Sequence, residues 1–105
     1  MKVQLANELT DLAKLAKVMH QLRPQHSVRV LTKMMREQMQ ESYQLAYIED
    51  GNQILAVAGF IIGKKLAWGK HVYVDDLVTN ECERSKGAGK AMIAWLKAFA
   101  LEQGC

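Results

Sequence analysis

The chain has 105 residues, half of them hydrophobic, 24% charged and a single one proline, a composition that excludes a disordered chain and leaves room for one domain but not two. Fourteen basic side chains against eleven acidic ones give a net charge of +3, enough to favour an anionic ligand but too little for a dedicated nucleic-acid binder. The lysines are dispersed and no aromatic platform interleaves with them, so no nucleic-acid partner is expected.

No apolar run approaches the ~18 residues of a membrane span, and the stretch from Met1 to Glu8 lacks the apolar core and cleavage site of a secretory signal. A cytoplasmic location with no membrane partner is the expectation. Cys82 and Cys105 have neither C-x-x-C spacing nor the density of a disulfide scaffold, which reads as two free thiols. His20, His26 and His71 stand apart from any cysteine or carboxylate at ligand spacing, so no metal is expected.

In chain order, residues 2 to 6 are a short apolar opening that suits an edge strand. Asn7 is a candidate helix cap, and Leu9, Leu12, Ala13, Ala16, Met19 and Leu22 follow at helical spacing. Arg23-Pro24-Gln25 breaks that helix; Ser27 caps a second one, with Val28, Leu31, Met34, Met35 and Met39 on one face. The methionine stripe reads as core packing. From Tyr43 the period shortens to two until Asp50-Gly51-Asn52, which has the chemistry of a hairpin turn. The second strand, Ile54 to Ile62, is apolar on both faces, as expected of a central strand covered by helices on each side. A bend at Gly63-Lys64-Lys65 and a loop through Trp68-Gly69-Lys70 lead to a strand from His71 to Thr79 with Asp75-Asp76 in its middle. Adjacent strand residues point to opposite faces, so either one of these carboxylates is directed inward and needs partners there, or the strand lies at an edge and both are solvated. A polar loop from Asn80 then enters Arg84-Ser85-Lys86-Gly87-Ala88-Gly89-Lys90. A last helix follows, with Met92, Ile93, Leu96, Phe99 and Ala100 on one face and Gly104 as its terminator.

The 84–90 loop lies between a strand and a helix, where glycines allow close backbone approach and the first helical amides point outward with partial positive charge, the usual way of holding phosphate. It fails the P-loop pattern G-x-x-x-x-G-K-S/T, because Arg84 stands at the first glycine and Ala91 at the hydroxyl. It fails the dinucleotide fingerprint as well, since the third glycine would fall at Met92. It satisfies every fixed position of R/Q-x-x-G-x-G/A.

That motif, preceded by Tyr73-Val74-Asp75-Asp76-Leu77-Val78-Thr79 and followed by an amphipathic helix, resembles the GCN5-related N-acetyltransferase (GNAT) superfamily. The Leu66-Ala67-Trp68-Gly69-Lys70 lead-in and the upstream strand, helix pair and hairpin also fall in that family's order, so the resemblance covers the whole chain. It implies an α/β (α+β) fold with a mixed, mostly antiparallel sheet and helices on both faces, in the order strand, two helices, three strands, helix. It further implies acetyl-CoA as cosubstrate, with no metal, and transfer of its acetyl group to a primary amine. Carried over residue by residue, the backbone of Leu77, Val78 and Thr79 is assigned to the acetyl carbonyl and pantetheine. The amides of Arg84, Ser85, Lys86, Gly87, Ala88, Gly89 and Lys90 are assigned to the pyrophosphate, with Lys86 and Lys90 as the cationic side chains best placed to assist. Asp75 and Asp76 match positions where relatives carry an acidic residue, and one of them is expected to act as base. Amides near Val78 would polarise the thioester oxygen.

Cys105 falls where the family pattern continues into a fifth strand and beyond, so residues 1–105 are expected to form a single, incomplete N-acetyltransferase domain, truncated before that strand. The expected result is an exposed sheet edge along residues 71–79 that pairs with a second copy or a complementing chain. Two functions follow: an N-acetyltransferase, active alone or only when complemented and otherwise inactive in this short form, or a non-catalytic remnant that binds coenzyme A or only self-associates. Glu37, Glu41, Glu49 and Asp50 are candidates for an amine site, but a solvated helix face and turn explain them more simply.

Overall fold

The computed structural model describes residues 1–67, 69–83 and 87–105. Its elements are β1 (Val3–Leu5), α1 (Leu12–Leu22), α2 (Val28–Met39), β2 (Tyr43–Asp50), β3 (Gln53–Lys65), β4 (Gly69–Thr79), a short 3-10 turn (Glu81–Glu83) and α3 (Ala88–Glu102). The strands form one sheet in the order β1-β2-β3-β4, and every neighbouring pair is antiparallel. β2 and β3 are neighbours because a short turn joins them, whereas β1 reaches β2 only through α1 and α2. Gly51, at φ 62°, supplies the left-handed residue that the β2–β3 turn requires.

The apolar run in β3 sits where its two-sided character demands. On one face Val57 packs with Leu45 of β2, Leu12, Leu15 and Met19 of α1, and Leu31 and Met35 of α2. On the other, Ala58 and Phe60 pack with Met92, Leu96 and Phe99 of α3. Phe60 meets Phe99 edge-on at 5.4 Å between ring centroids, and Phe99 stacks on Trp95 at 4.9 Å, geometries that add to the area they bury. Helices therefore cover both faces of the sheet. Among the described residues, no helix is long and apolar enough to cross a membrane.

Three local expectations are corrected. Asn7 does not cap α1: its side chain accepts from Leu9 N at 2.8 Å in a separate turn, and Asp11 caps the helix by accepting from Ala13 N. Leu9 consequently leaves the apolar face and is 91% exposed. The expected bend at Gly63-Lys64-Lys65 is strand, since β3 runs on to Lys65 and pairs with β4 from Gly69. Backbone pairing continues there without burial, so lysines are no obstacle. On α3, Met92, Leu96 and Phe99 are buried as expected, but Ile93 is exposed. Ser27 caps α2 as expected, accepting from Val30 N, and Gly104 follows α3 at φ 82°.

Candidate active site

The site is organised by an irregularity in β4. Gly59 pairs with Asp76 and Phe60 with Val74, so Asp75 is an extra residue in β4, a bulge. The bulge resets the alternation of the strand. Val72 and Leu77 both pack on the α3 side, although they stand five positions apart and unbroken alternation would put them on opposite faces, and Asp76 and Val78 are left facing α1 and α2.

Asp76 is the inward carboxylate that the sequence anticipated, and its side chain is 15% exposed. The Arg23 Nε and Nη2 groups donate to its Oδ1 at 3.0 and 2.8 Å, and the Tyr43 hydroxyl donates to Oδ2 at 2.7 Å. Arg23 Nη2 also reaches the Asp75 carbonyl at 3.3 Å. Tyr43 starts β2 and must cross β3 to reach β4, and it does so directly over Gly59. A Cβ on Gly59 would lie 1.6 Å from the Tyr43 hydroxyl oxygen, so only glycine admits this bridge. Burial pushes the Tyr43 hydroxyl far above the ordinary tyrosine range, and the bond to Asp76 with the charges of Asp76 and Asp75 adds to it, against a smaller pull from Arg23.

Above this network lies a cleft of about 220 Å³ between α1, α2 and the sheet, with Arg23, Tyr43 and Asp76 at its base. Met19, Leu31, Met34 and Met35 form its apolar walls, and Gln25, His26 and Gln38 contribute polar groups. The methionine stripe of α2 is therefore divided: Met35 is buried in the core, while Met34 and Met35 also line the cleft.

On the opposite face, α3 begins beside the end of β4. Gly87 holds φ 79° before the helix, and no side chain among the described residues caps the first turn. Gly89 lies against β4, where a Cβ would come within 3.1 Å of Thr79 Cγ2. The start of α3 thus offers outward amides at the positive end of the helix dipole, in the geometry that holds anions. Lys90 is exposed in the first turn. Asn80 anchors the approach to this end. Its Nδ2 donates to the Ile54 carbonyl, its Oδ1 accepts from Gln21 Nε2 and Cys82 N, and Gln21 Oε1 accepts from Glu81 N.

Of the predicted residues, Asp75, Asp76, Leu77, Val78 and Thr79 lie together on β4, and Gly87, Ala88, Gly89 and Lys90 open α3. Arg84, Ser85 and Lys86 lie outside the described residues. Asp75 is exposed, and its carboxylate has no hydrogen-bond partner among the described residues, in contrast to Asp76. None of Glu37, Glu41, Glu49 and Asp50 lines the cleft; Glu49 pairs with Lys14, and Glu37 with Lys33 one turn away. Sequence reasoning missed Arg23, Tyr43 and Gly59. The one available signal was Gly59 itself, an isolated glycine inside an apolar strand, which marks close approach of another group.

The chain matches the model of the acetyltransferase (GNAT) family over residues 8–105. No curated protein matches it in sequence. Among solved structures it is similar to a GNAT family acetyltransferase from Staphylococcus aureus, with a TM-score of 0.86 at 20% identity over 99% of this chain and 80% of that one. The ribosomal-protein-alanine N-acetyltransferase from Brucella melitensis gives 0.82 at 16% identity, covering 99% and 75%. The aminoglycoside N-acetyltransferase AAC(6')-Iy in complex with CoA gives 0.81 at 18% identity, covering 99% and 71%. At these identities the structures speak for the fold, and the family model speaks for descent: the chain belongs to the acetyltransferase (GNAT) family and is, by that resemblance, an N-acetyltransferase.

Proposed function

We propose that residues 1–105 act as one acetyltransferase domain that transfers the acetyl group of acetyl-CoA to a primary amine. The observation that carries this reading is the arrangement around β4: an amine-sized cleft ends at Asp76 on one face, and the start of α3 adjoins Thr79 on the other. Asp76 and Thr79 are three residues apart on an extended strand, about 10 Å, so the two half-sites share one short segment. The glycines fit a phosphate-bearing ligand, because Gly87 takes a left-handed backbone and a side chain at Gly89 would crowd Thr79. The solved CoA complex of AAC(6')-Iy, which shares the fold, supports the same ligand.

When bound, acetyl-CoA supplies a thioester whose carbonyl carbon would form a bond to the amine nitrogen as its C–S bond breaks, the sulfur leaving as a thiolate that takes up the second proton shed by the acylated nitrogen and so ends as a thiol. The chain's own contribution is to bind, orient and deprotonate. The amides from Gly87 to Lys90 hold the pyrophosphate, and the backbone of Leu77, Val78 and Thr79 aligns the acetyl arm along the outer side of β4. An ammonium group must lose a proton before it can attack. Asp75, exposed on the bulge and unengaged among the described residues, takes that proton through water, and Asp76, held by Arg23 and Tyr43, sets the direction of the cleft. Before the bulge, the outer side of β4 at residues 69–74 also has no strand partner among the described residues, which supports association with a second copy or a complementing chain along that stretch and leaves residues 77–79 to the acetyl arm.

Isothermal titration of the chain with acetyl-CoA tests the proposal, followed by a thiol-release assay against a panel of amines. The expected result is micromolar binding that Gly87→Trp abolishes, together with amine-dependent release of free coenzyme. Binding without release under any amine would reduce the chain to a coenzyme-binding remnant. Absence of binding by a folded chain would overturn the reading.

A further inference from the structure

The charge balance of the cleft points to the class of acceptor, an inference that rests on the acetyltransferase reading above: we infer that the cleft takes a small, singly charged primary amine with an apolar body, not a polycation. Among the described residues Asp76 is the one carboxylate lining the cleft, and its charge is already matched by Arg23 at 2.8 Å. A polyamine or an aminoglycoside would bring two or more positive charges against a lining with no surplus negative charge among the described residues, and would have to stay solvated or repel the Arg23 guanidinium. Glu37 and Glu49 stand away from it, paired with lysines, and Glu41 and Asp50 are exposed to solvent.

The walls favour the opposite kind of ligand. Met19, Leu31, Met34 and Met35 offer flexible, polarizable apolar surface, and a volume of about 220 Å³ lies below the ~300–1,000 Å³ of pockets that enclose drug-sized ligands. A short chain ending in one amine fits. Its ammonium group can meet the Asp76–Arg23 pair and the polar ends of Gln25 and Gln38, while its body contacts the methionines. The amide of an apolar amino acid and an arylalkylamine share this chemistry.

Three of the six methionines line this cleft, whereas Met92 is buried on the other side of the sheet, so methionine methyl signals labelled with carbon-13 report occupancy without any chemistry. Leucinamide and phenethylamine are expected to shift the Met34 and Met35 signals, leaving Met92 in place, with half-saturation at least tenfold below that of spermidine and kanamycin. Amine-dependent thiol release should rank the same compounds in the same order. Arg23→Gln, which uncovers the Asp76 charge, should move the preference at least tenfold toward spermidine. Gln38→Glu, an exposed change that leaves the Arg23–Asp76 pair intact, should move it in the same direction and serves if Arg23→Gln does not fold. Equal or tighter binding of the polycations, or no shift of the Met34 and Met35 signals by either monoamine, would overturn the inference. Selective methyl shifts with no thiol release from any amine would instead uphold the acceptor class while removing the acetyltransferase reading.

Discussion

Replacing Gly59 with alanine tests the feature on which the cleft depends. The new methyl would lie 1.6, 2.2 and 2.7 Å from the Tyr43 hydroxyl oxygen, Cζ and Cε1. The ring is only 7% exposed, and its far end is committed to Asp76, so it must swing out of place. Losing a buried hydrogen bond to a charged acceptor costs about 1.5–3 kcal/mol, and forcing a methyl into a packed site adds about 1–3 kcal/mol. Gly59→Ala should therefore destabilise by roughly 3–5 kcal/mol, a large fraction of the ~5–15 kcal/mol available to a small domain. Tyr43→Leu removes all three obstructing atoms. In that background the same alanine should change stability by no more than about 1 kcal/mol, since glycine in a strand has little else to recommend it. Urea unfolding of the four proteins in the cycle, followed by circular dichroism, should give a coupling energy of at least about 2 kcal/mol. Additivity within about 0.5 kcal/mol would mean that Tyr43 does not lie over Gly59, and the account of the Asp76 network would fall with it.

The two neighbouring aspartates should separate cleanly. Asp75→Asn is expected to lower kcat by about 10²-fold or more with stability unchanged within about 0.5 kcal/mol, whereas Asp76→Asn should cost about 1–3 kcal/mol by loosening Arg23 and Tyr43; steady-state kinetics and urea unfolding measure both. Gly89→Leu should weaken acetyl-CoA binding at least tenfold by prising α3 from Thr79, read by titration calorimetry. The raised Tyr43 hydroxyl gives a sign for alkaline pH. Its proton is held more tightly in the folded chain, so its contribution is complete below the unfolded tyrosine value of about 10 and is lost as pH rises above that value. Unfolding free energy should therefore fall less steeply above about pH 10 in Tyr43→Phe than in the parent, and identical slopes in the two proteins would refute the assignment.

The layered fold was legible because it depends on periodicity: β3 is apolar on both faces, and α1, α2 and α3 carry stripes at helical spacing. The start of α1 was not, because Asn7 and Asp11 are both competent caps. The choice fell to Asp11 once Asn7 and Thr10 closed their own turn. The far end of the β3–β4 hairpin was hidden by Gly63 and three lysines, residues that usually mark a turn but pair readily where a hairpin projects beyond its helices. In the site, the glycine motif and the aspartate pair are local and could be read directly. The network around Asp76 could not, since Arg23 and Tyr43 reach it from α1 and β2, and the bulge at Asp75 follows from pairing with β3 and not from any local preference.

The Gln21–Asn80 clasp has a consequence for dynamics. Gln21 donates to the Asn80 side chain and accepts from Glu81 N, while Asn80 grips the Ile54 carbonyl. The descent from β4 is thereby tied into the cooperative unit that contains α1, two residues before Arg23. The Glu81 amide, held by Gln21, should exchange with solvent only through openings that detach α1 from the sheet, not through local fraying. An anion arriving at the start of α3 then meets a leading segment, residues 80–83, whose ordering entropy, on the order of 1–2 kcal/mol per residue, was surrendered when the chain folded and does not weaken association.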